Sequence, residues 1–171
     1  ARFTDQKDHI TLLKAFKIIS SKINARLILL GYGANEKKIK DYVKNQNLKN
    51  KVQIIKYTFN PFKYIAKSDV LVLSSLYEGL PNVLLEALTL KKYVVSTDCP
   101  TGPAEILKKG EFGSLYKVKD YLRLSEIILD YYKHPNRYKK KINNGYKSLQ
   151  RFDFNKNCKK YLFEVKKVMN Y

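Results

Sequence analysis

The sequence is poor in the residues that mark several common protein classes. Seven glycines and five prolines in 171 residues are too few for a linker-rich or low-complexity chain. With 44% hydrophobic residues, the composition fits one globular domain that buries a real core. The two cysteines, Cys99 and Cys158, lie too far apart in sequence for a metal knuckle or a disulfide framework. That fits a reducing compartment and makes the cytoplasm the expected location. No run of about 18 apolar residues occurs, and the opening ARFTDQKDH lacks the basic-then-apolar layout of a signal peptide. Neither a membrane span nor export by that route is expected. Acidic residues are scarce too: 15 Asp and Glu stand against 34 Lys and Arg, a formal net charge of +19. Such a field favours nucleic acid, acidic headgroups or phosphorylated small molecules, without choosing among them. The cations are nearly all lysines interleaved with Asn, Ile and Tyr, so compositional bias accounts for part of the charge.

What the chain does have is alternation. Ile10, Leu13, Phe16, Ile19 and Ile23 fall at helical spacing, which predicts a helix over 8–23. A strand follows over 26–30, closed by Gly31-Tyr32-Gly33, then a helix over 35–47, a strand over 52–55 and a short proline-led helix over 61–67. Strands at 69–73 and 93–96 bracket a helix over 81–90; a brief helix runs from Gly102-Pro103 to Leu107, and a last strand covers 112–116. From Tyr121 onward, three helical stretches are separated by breaks near Pro135 and near 152–153. Short apolar strands alternating with helices are the signature of an α/β fold, a doubly wound parallel sheet covered on both faces. Ligands bind such sheets where the loops leave the carboxyl ends of the strands. Here those loops are 31–33, 56–60, 74–81 and 97–103.

The segment SLYEGLPNVLLE at 75–86 poses the functional question. Between Val83 and Leu90 the only polar residues are Glu86 and Thr89, and an ionised Glu in a dry site costs several kcal/mol unless something pairs with it. Glu78 lies eight positions earlier. The loop enters its helix through Leu80-Pro81-Asn82, whose first amides lack intrahelical partners and suit a phosphate. Gly79 removes a side chain where a ligand approaches backbone. An ionised carboxylate accepts two hydroxyl donors at once, the chemistry of vicinal sugar hydroxyls. Two carboxylates facing one cleft can hold both ends of a nucleotide-sugar.

The stretch E-G-L-P-N-V-L-L-E resembles the E-x7-E motif of retaining glycosyltransferases with the GT-B fold, the glycosyl transferases group 1 (family 4). ARFTDQKDHITLLKAF is similar to that family's G-R-[FL]-x-x-x-K-x-x-x-x-L-x-x-A-F opening of the second Rossmann-like domain. LILLGYG resembles its strand-plus-glycine loop, and STDCPTGPAEIL the segment after the following strand. The resemblance covers essentially the whole chain. It implies that Arg2 and Lys7 hold the donor diphosphate and help it leave, that Glu86 binds the ribose, and that Glu78 faces the donor sugar. It places the Gly79, Leu80 and Asn82 amides near sugar and phosphate, Gly31 and Gly33 beside the diphosphate, and Tyr57 and Thr58 beside the nucleobase. It further implies a UDP-sugar as the expected donor, no cofactor and no essential metal, since Arg2, Lys7 and a helix N-terminus can neutralise a leaving diphosphate.

GT-B enzymes use two Rossmann-like domains, and 171 residues hold one. The resemblance therefore implies the C-terminal, donor-binding half of a longer enzyme, residues 1–171 with 152–171 as a C-terminal helix. Its partner would be an N-terminal acceptor domain, and the fragment alone would be inactive. The parent enzyme is expected to move a hexose or N-acetylhexosamine to a glycan or lipid-linked acceptor in bacterial polysaccharide assembly. The Lys-rich surface would hold it at an anionic inner leaflet. The alternative is a non-catalytic basic module that docks on nucleic acid or an anionic membrane, although no RNA-binding signature occurs and no specific nucleic acid is expected. A non-hydrolysing nucleotide-sugar epimerase is a third reading, weakened by the lack of a carboxylate-and-histidine set. Asp98 and Glu105 read as turn and helix-start residues, Cys99 as a small loop residue, and His9 and His134 as surface helix residues.

Overall fold

The computed structural model describes residues 1–169. Five parallel strands alternate with eight α-helices: α1 (His9–Lys22), β1 (Leu27–Leu30), α2 (Glu36–Asn45), β2 (Val52–Ile55), α3 (Phe62–Lys67), β3 (Val70–Leu73) and α4 (Asn82–Thr89). There follow β4 (Tyr93–Thr97), α5 (Pro103–Ile106), β5 (Ser114–Tyr116), α6 (Tyr121–Lys133), α7 (Pro135–Ser148) and α8 (Phe154–Met169). Every expected element is present. The expected C-terminal helix over 152–171 starts at Phe154, after Asp153 takes an extended conformation; positions 170–171 lie outside the described residues.

The sheet departs from the expected single ladder. β1 pairs with β2, and β3, β4 and β5 pair in that order, all parallel. Among the described residues, no ladder joins β1 to β3. One hydrophobic face nevertheless bridges both parts. Leu13, Phe16 and Ile19 of α1 pack in one cluster with Leu29 and Val52 of the first part, with Tyr93 and Val95 of the second, and with Leu124 of α6. The opposite face holds a smaller cluster, in which Leu84, Ala87 and Leu88 of α4 meet Leu73, Val94, Ile106 and Leu107. Those α4 positions recur at helical spacing, and Leu84 and Leu88 are fully buried, each contributing roughly 2 kcal/mol.

Tyrosine serves this core. Tyr93 stacks on Tyr131 with centroids 4.4 Å apart and meets Tyr138 edge-on at 4.8 Å, while its hydroxyl shares a 2.6 Å hydrogen bond with Ser114. Burial pushes the Tyr93 hydroxyl pKa far up. Arg151 fixes the break before α8: it donates to the Ile106 carbonyl at 3.0 Å and lies over the Phe112 and Phe152 rings.

Candidate functional site: a carboxylate and lysine cluster at the strand ends

The N-terminal segment threads between the two parts of the sheet at their carboxyl ends. The Ala1 ammonium and the Phe3 amide donate to the Leu30 and Tyr32 carbonyls at 2.6 and 2.8 Å. Further along, the Gln6 carbonyl accepts from Leu76 N–H at 2.8 Å and the Lys7 carbonyl from Ser74 Oγ at 2.8 Å. Lys7 is thereby delivered from the β1 side to the loop after β3.

There it meets Glu78. Lys7 Nζ lies 2.6 Å from Glu78 Oε1, and Ser75 Oγ donates to the same oxygen at 2.6 Å. The pair is dry, with side-chain exposures of 19% for Lys7 and 8% for Glu78. Glu78 is thus not a solvated loop residue. Among the described residues, its Oε2 has no protein donor, which leaves it to accept from a ligand hydroxyl. Lys7 carries three N–H donors and directs one at Glu78, so two remain for phosphoryl oxygens.

The loop is held by residues the sequence reading passed over. Thr97 Oγ1 donates to the Ser75 carbonyl at 2.7 Å, and Thr101 Oγ1 donates to the Glu78 carbonyl. Gly102 has φ 74°, and a Cβ there would fall 1.9 Å from the Gly79 carbonyl oxygen. Only glycine lets loop 98–102 close against 79–81. The sequence signal was there, in the small polar residues of SS and STDCPTG, but hydroxyl-to-carbonyl ties across separate strands have no local pattern.

Beyond this floor, Gly79 and Leu80 are exposed, and a Cβ on Gly79 would meet nothing within 4 Å. The room there is left for something outside the chain. The Pro81 residue before α4 is extended and no side chain caps the helix, so the Asn82 and Val83 amides stay available to an anion. Glu86 is half-buried, and among the described residues no side chain pairs with it. Its charge acts on the Ala1 ammonium, which places it beside the N-terminal segment. Arg2, the residue after Ala1, is exposed. Tyr57 and Thr58 are on the neighbouring rim, Tyr57 edge-on to Phe59 at 5.2 Å.

The structure adds a packing role for two glycines and corrects the reading of His9. Gly31 and Gly33, with φ of 148° and 155°, have a packing reason of their own: a Cβ would fall 1.7 Å from the Ala1 oxygen and 2.5 Å from the Phe3 oxygen. His9 is a core residue rather than a surface one, 8% exposed and edge-on to Phe3 at 4.8 Å. Burial, with the Ala1 ammonium adding to it and Asp8 opposing, lowers its pKa to about 4. Cys99 is buried and desolvation raises its pKa, the reverse of an activated thiol. Cavities of about 490 and 410 Å³ lie beside Tyr138 and beside His9, and none of the expected site residues lines either. Among the described residues, no group of three His, Cys, Asp or Glu gathers to hold a metal, and no helix is long and apolar enough to cross a membrane.

Known proteins share this sequence profile and this fold. The sequence profile of the glycosyl transferases group 1 matches residues 1–148. A curated relative from Campylobacter jejuni, N-acetylgalactosamine-N,N'-diacetylbacillosaminyl-diphospho-undecaprenol 4-alpha-N-acetylgalactosaminyltransferase, is 30% identical over 94% of this chain and 44% of its own length. Staphylococcus aureus TarM, solved with fondaparinux, alpha-GlcNAc-glycerol and UDP, superposes with a TM-score of 0.88 at 22% identity, covering 95% of this chain and 33% of TarM. The C-terminal domain of a group 1 glycosyltransferase (LpcC) from Francisella tularensis superposes with a TM-score of 0.77 at 20% identity, over 88% of this chain and 81% of that one. The chain spans less than half the length of the curated relatives it matches, 23% to 44%. On the matched profile and the shared fold, this chain belongs to the glycosyl transferases group 1.

Proposed function

We propose that the chain is the donor-binding half of a retaining, metal-independent glycosyltransferase that moves a hexose or N-acetylhexosamine from a UDP-sugar to a glycan or lipid-linked acceptor. The observation that carries this reading is the Lys7–Glu78–Ser75 cluster beside the uncapped start of α4, with Glu86 unpaired one turn along. In this arrangement Glu86 accepts from the two ribose hydroxyls. The Asn82 amide, Lys7 and Arg2 take the diphosphate oxygens. Glu78, its Oε1 occupied by Lys7 and Ser75, offers Oε2 to a hydroxyl of the sugar. As the bond from the anomeric carbon to the diphosphate breaks, negative charge grows on the leaving oxygen, where Lys7 and Arg2 stand as cations.

A second polypeptide domain would supply the acceptor side, which is why a chain spanning under half of its relatives is expected to bind donor and transfer little. The +19 charge, and the undecaprenol-linked substrate named for the Campylobacter relative, support a reading in which the enzyme works in the cytoplasm at an anionic leaflet. The test is thermal stabilisation by UDP, GDP, ADP and their sugars at moderate salt, in the wild type and in Glu86→Ala. One nucleotide should raise the melting temperature of the wild type only. Stabilisation of both proteins alike by an oligonucleotide or anionic vesicles at low salt, with no nucleotide effect, would favour the basic binding module instead.

A further inference from the structure

The segment that carries Lys7 has a second side. Lys7 turns to Glu78, but Asp5, Asp8 and His9 around it line the cavity of about 410 Å³, with Leu76 from the loop after β3 and Tyr121 from the start of α6. Residues 5–9 are therefore a partition, with the Lys7–Glu78 pair on one side and this cavity on the other.

Some polar groups of the cavity are already matched within the chain. Asp8 turns both oxygens to Thr11, accepting from its N–H at 3.2 Å and its hydroxyl at 2.6 Å. Asp5 Oδ1 accepts from Asn35 Nδ2 at 2.8 Å and lies 3.9 Å from Lys38 Nζ. Lys14 Nζ stands over the Tyr121 ring, 5.5 Å from its centroid. Others are left over. Among the described residues, Asp5 Oδ2 has no donor and Lys119 no carboxylate partner. His9 is 8% exposed, and its Nδ1 is buried with no hydrogen-bond partner among the described residues. Buried polar atoms are nearly always matched, so this one marks the cavity as a place where a partner belongs.

The leftover groups select the chemistry of that partner. A metal ion does not suit them, because among the described residues no three His, Cys, Asp or Glu side chains gather to hold one. An anion suits them little better: Asp5 and Asp8 oppose it, and Lys38 and Lys14 are engaged by Asp5 and by the Tyr121 ring. A neutral polyhydroxyl molecule meets every condition. Its hydroxyls both donate and accept, which matches a free carboxylate oxygen, a free ammonium and an imidazole whose pKa of about 4 keeps it neutral. The Tyr121 ring, Ile39 and Leu76 supply an apolar wall for the C–H faces of a pyranose. A volume of about 410 Å³ falls within the roughly 300–1,000 Å³ of small-molecule pockets.

We propose that this cavity is a second carbohydrate site, which takes one neutral monosaccharide unit on the far side of residues 5–9 from Glu78. Asp5 Oδ2 accepts from one hydroxyl, Lys119 donates to another, and the deepest hydroxyl is the partner that His9 Nδ1 lacks. Binding there stands apart from the donor reading; only the identity of the sugar as a unit of the enzyme's glycan rests on it.

Amide NMR spectra of the 171-residue chain test the proposal. Glucose and N-acetylglucosamine, each added up to about 50 mM, should shift the His9, Lys119 and Tyr121 signals saturably and leave Asn82 and Val83 in place. UDP should do the reverse, so failure of the sugar site and failure of the donor site read out on different signals. Asp5→Ala and Lys119→Met alter exposed side chains, so both proteins should keep the wild-type melting temperature and bind the sugar about tenfold more weakly. The absence of any saturable shift with either sugar would overturn the proposal, as would unchanged affinity in both variants. Shifts confined to residues 79–83 would move the sugar to the Glu78 side and overturn it too. Inorganic phosphate moving the His9 and Lys119 signals where the sugars do not would make the cavity an anion site instead.

Discussion

Lys7 and Glu78 are best understood through what each leaves behind if the other is removed. Glu78 is 8% exposed and, among the described residues, its one cation is Lys7, so Lys7→Met should strand a buried carboxylate and cost about 3–5 kcal/mol. The double variant Lys7→Met/Glu78→Gln should recover much of that, because a neutral amide tolerates the site. Urea unfolding of the four proteins measures the coupling. His9 yields a pH prediction. Its folded pKa, about 4, lies below the ordinary imidazole value, so the unfolded chain binds the extra proton. Stability is intact above about pH 6.5 and falls by roughly 3 kcal/mol as the pH drops toward 4. His9→Leu should flatten that slope in melts at pH 7 and pH 4.5; an unchanged slope would assign it to other groups.

At the scale of elements, α8 stands apart. None of its residues is buried, and Phe154, Tyr161, Leu162 and Phe163 are exposed. An isolated 16-residue helix is marginal in water, so its amides should exchange nearly as fast as in unfolded chain. Ending the protein after Asp153 should change unfolding stability by no more than about 0.5 kcal/mol, measured by the same urea titration. The elements themselves were legible, because hydrophobic period and Gly/Pro punctuation are local: β2 matches its expected bounds, and α1, β3 and α4 differ from theirs by a residue or two. Strand-to-strand pairing is not local, and the split of the sheet left no mark in the composition of β1 or β3. The same distinction holds in the candidate site. Glu78 and Glu86 drew notice by their spacing, whereas Lys7 reaches Glu78, and Thr97 the Ser75 carbonyl, only through folding. His9 misled because one imidazole at a helix start looks polar, while its neighbour Phe3 makes the position a core one.

For the molecule as a whole, charge and site are separate in space. Most of the +19 is spread over lysines on exposed helix faces, while the floor of the shelf holds one lysine already matched by one glutamate. The consequence is kinetic. If the shelf holds the proposed anionic donor, the wide positive field governs how often it arrives, and ions screen that field over about 8–10 Å. The short contacts at the floor govern how long the donor remains, and ions hardly reach them. Raising salt from about 50 to about 500 mM should therefore slow UDP association several-fold and leave its dissociation rate nearly unchanged, as stopped-flow binding would show. Lys7→Met should reverse the pattern, shortening residence with little effect on arrival. On the proposed donor reading, a protein that draws in anions with its whole surface selects among them at one neutral pair.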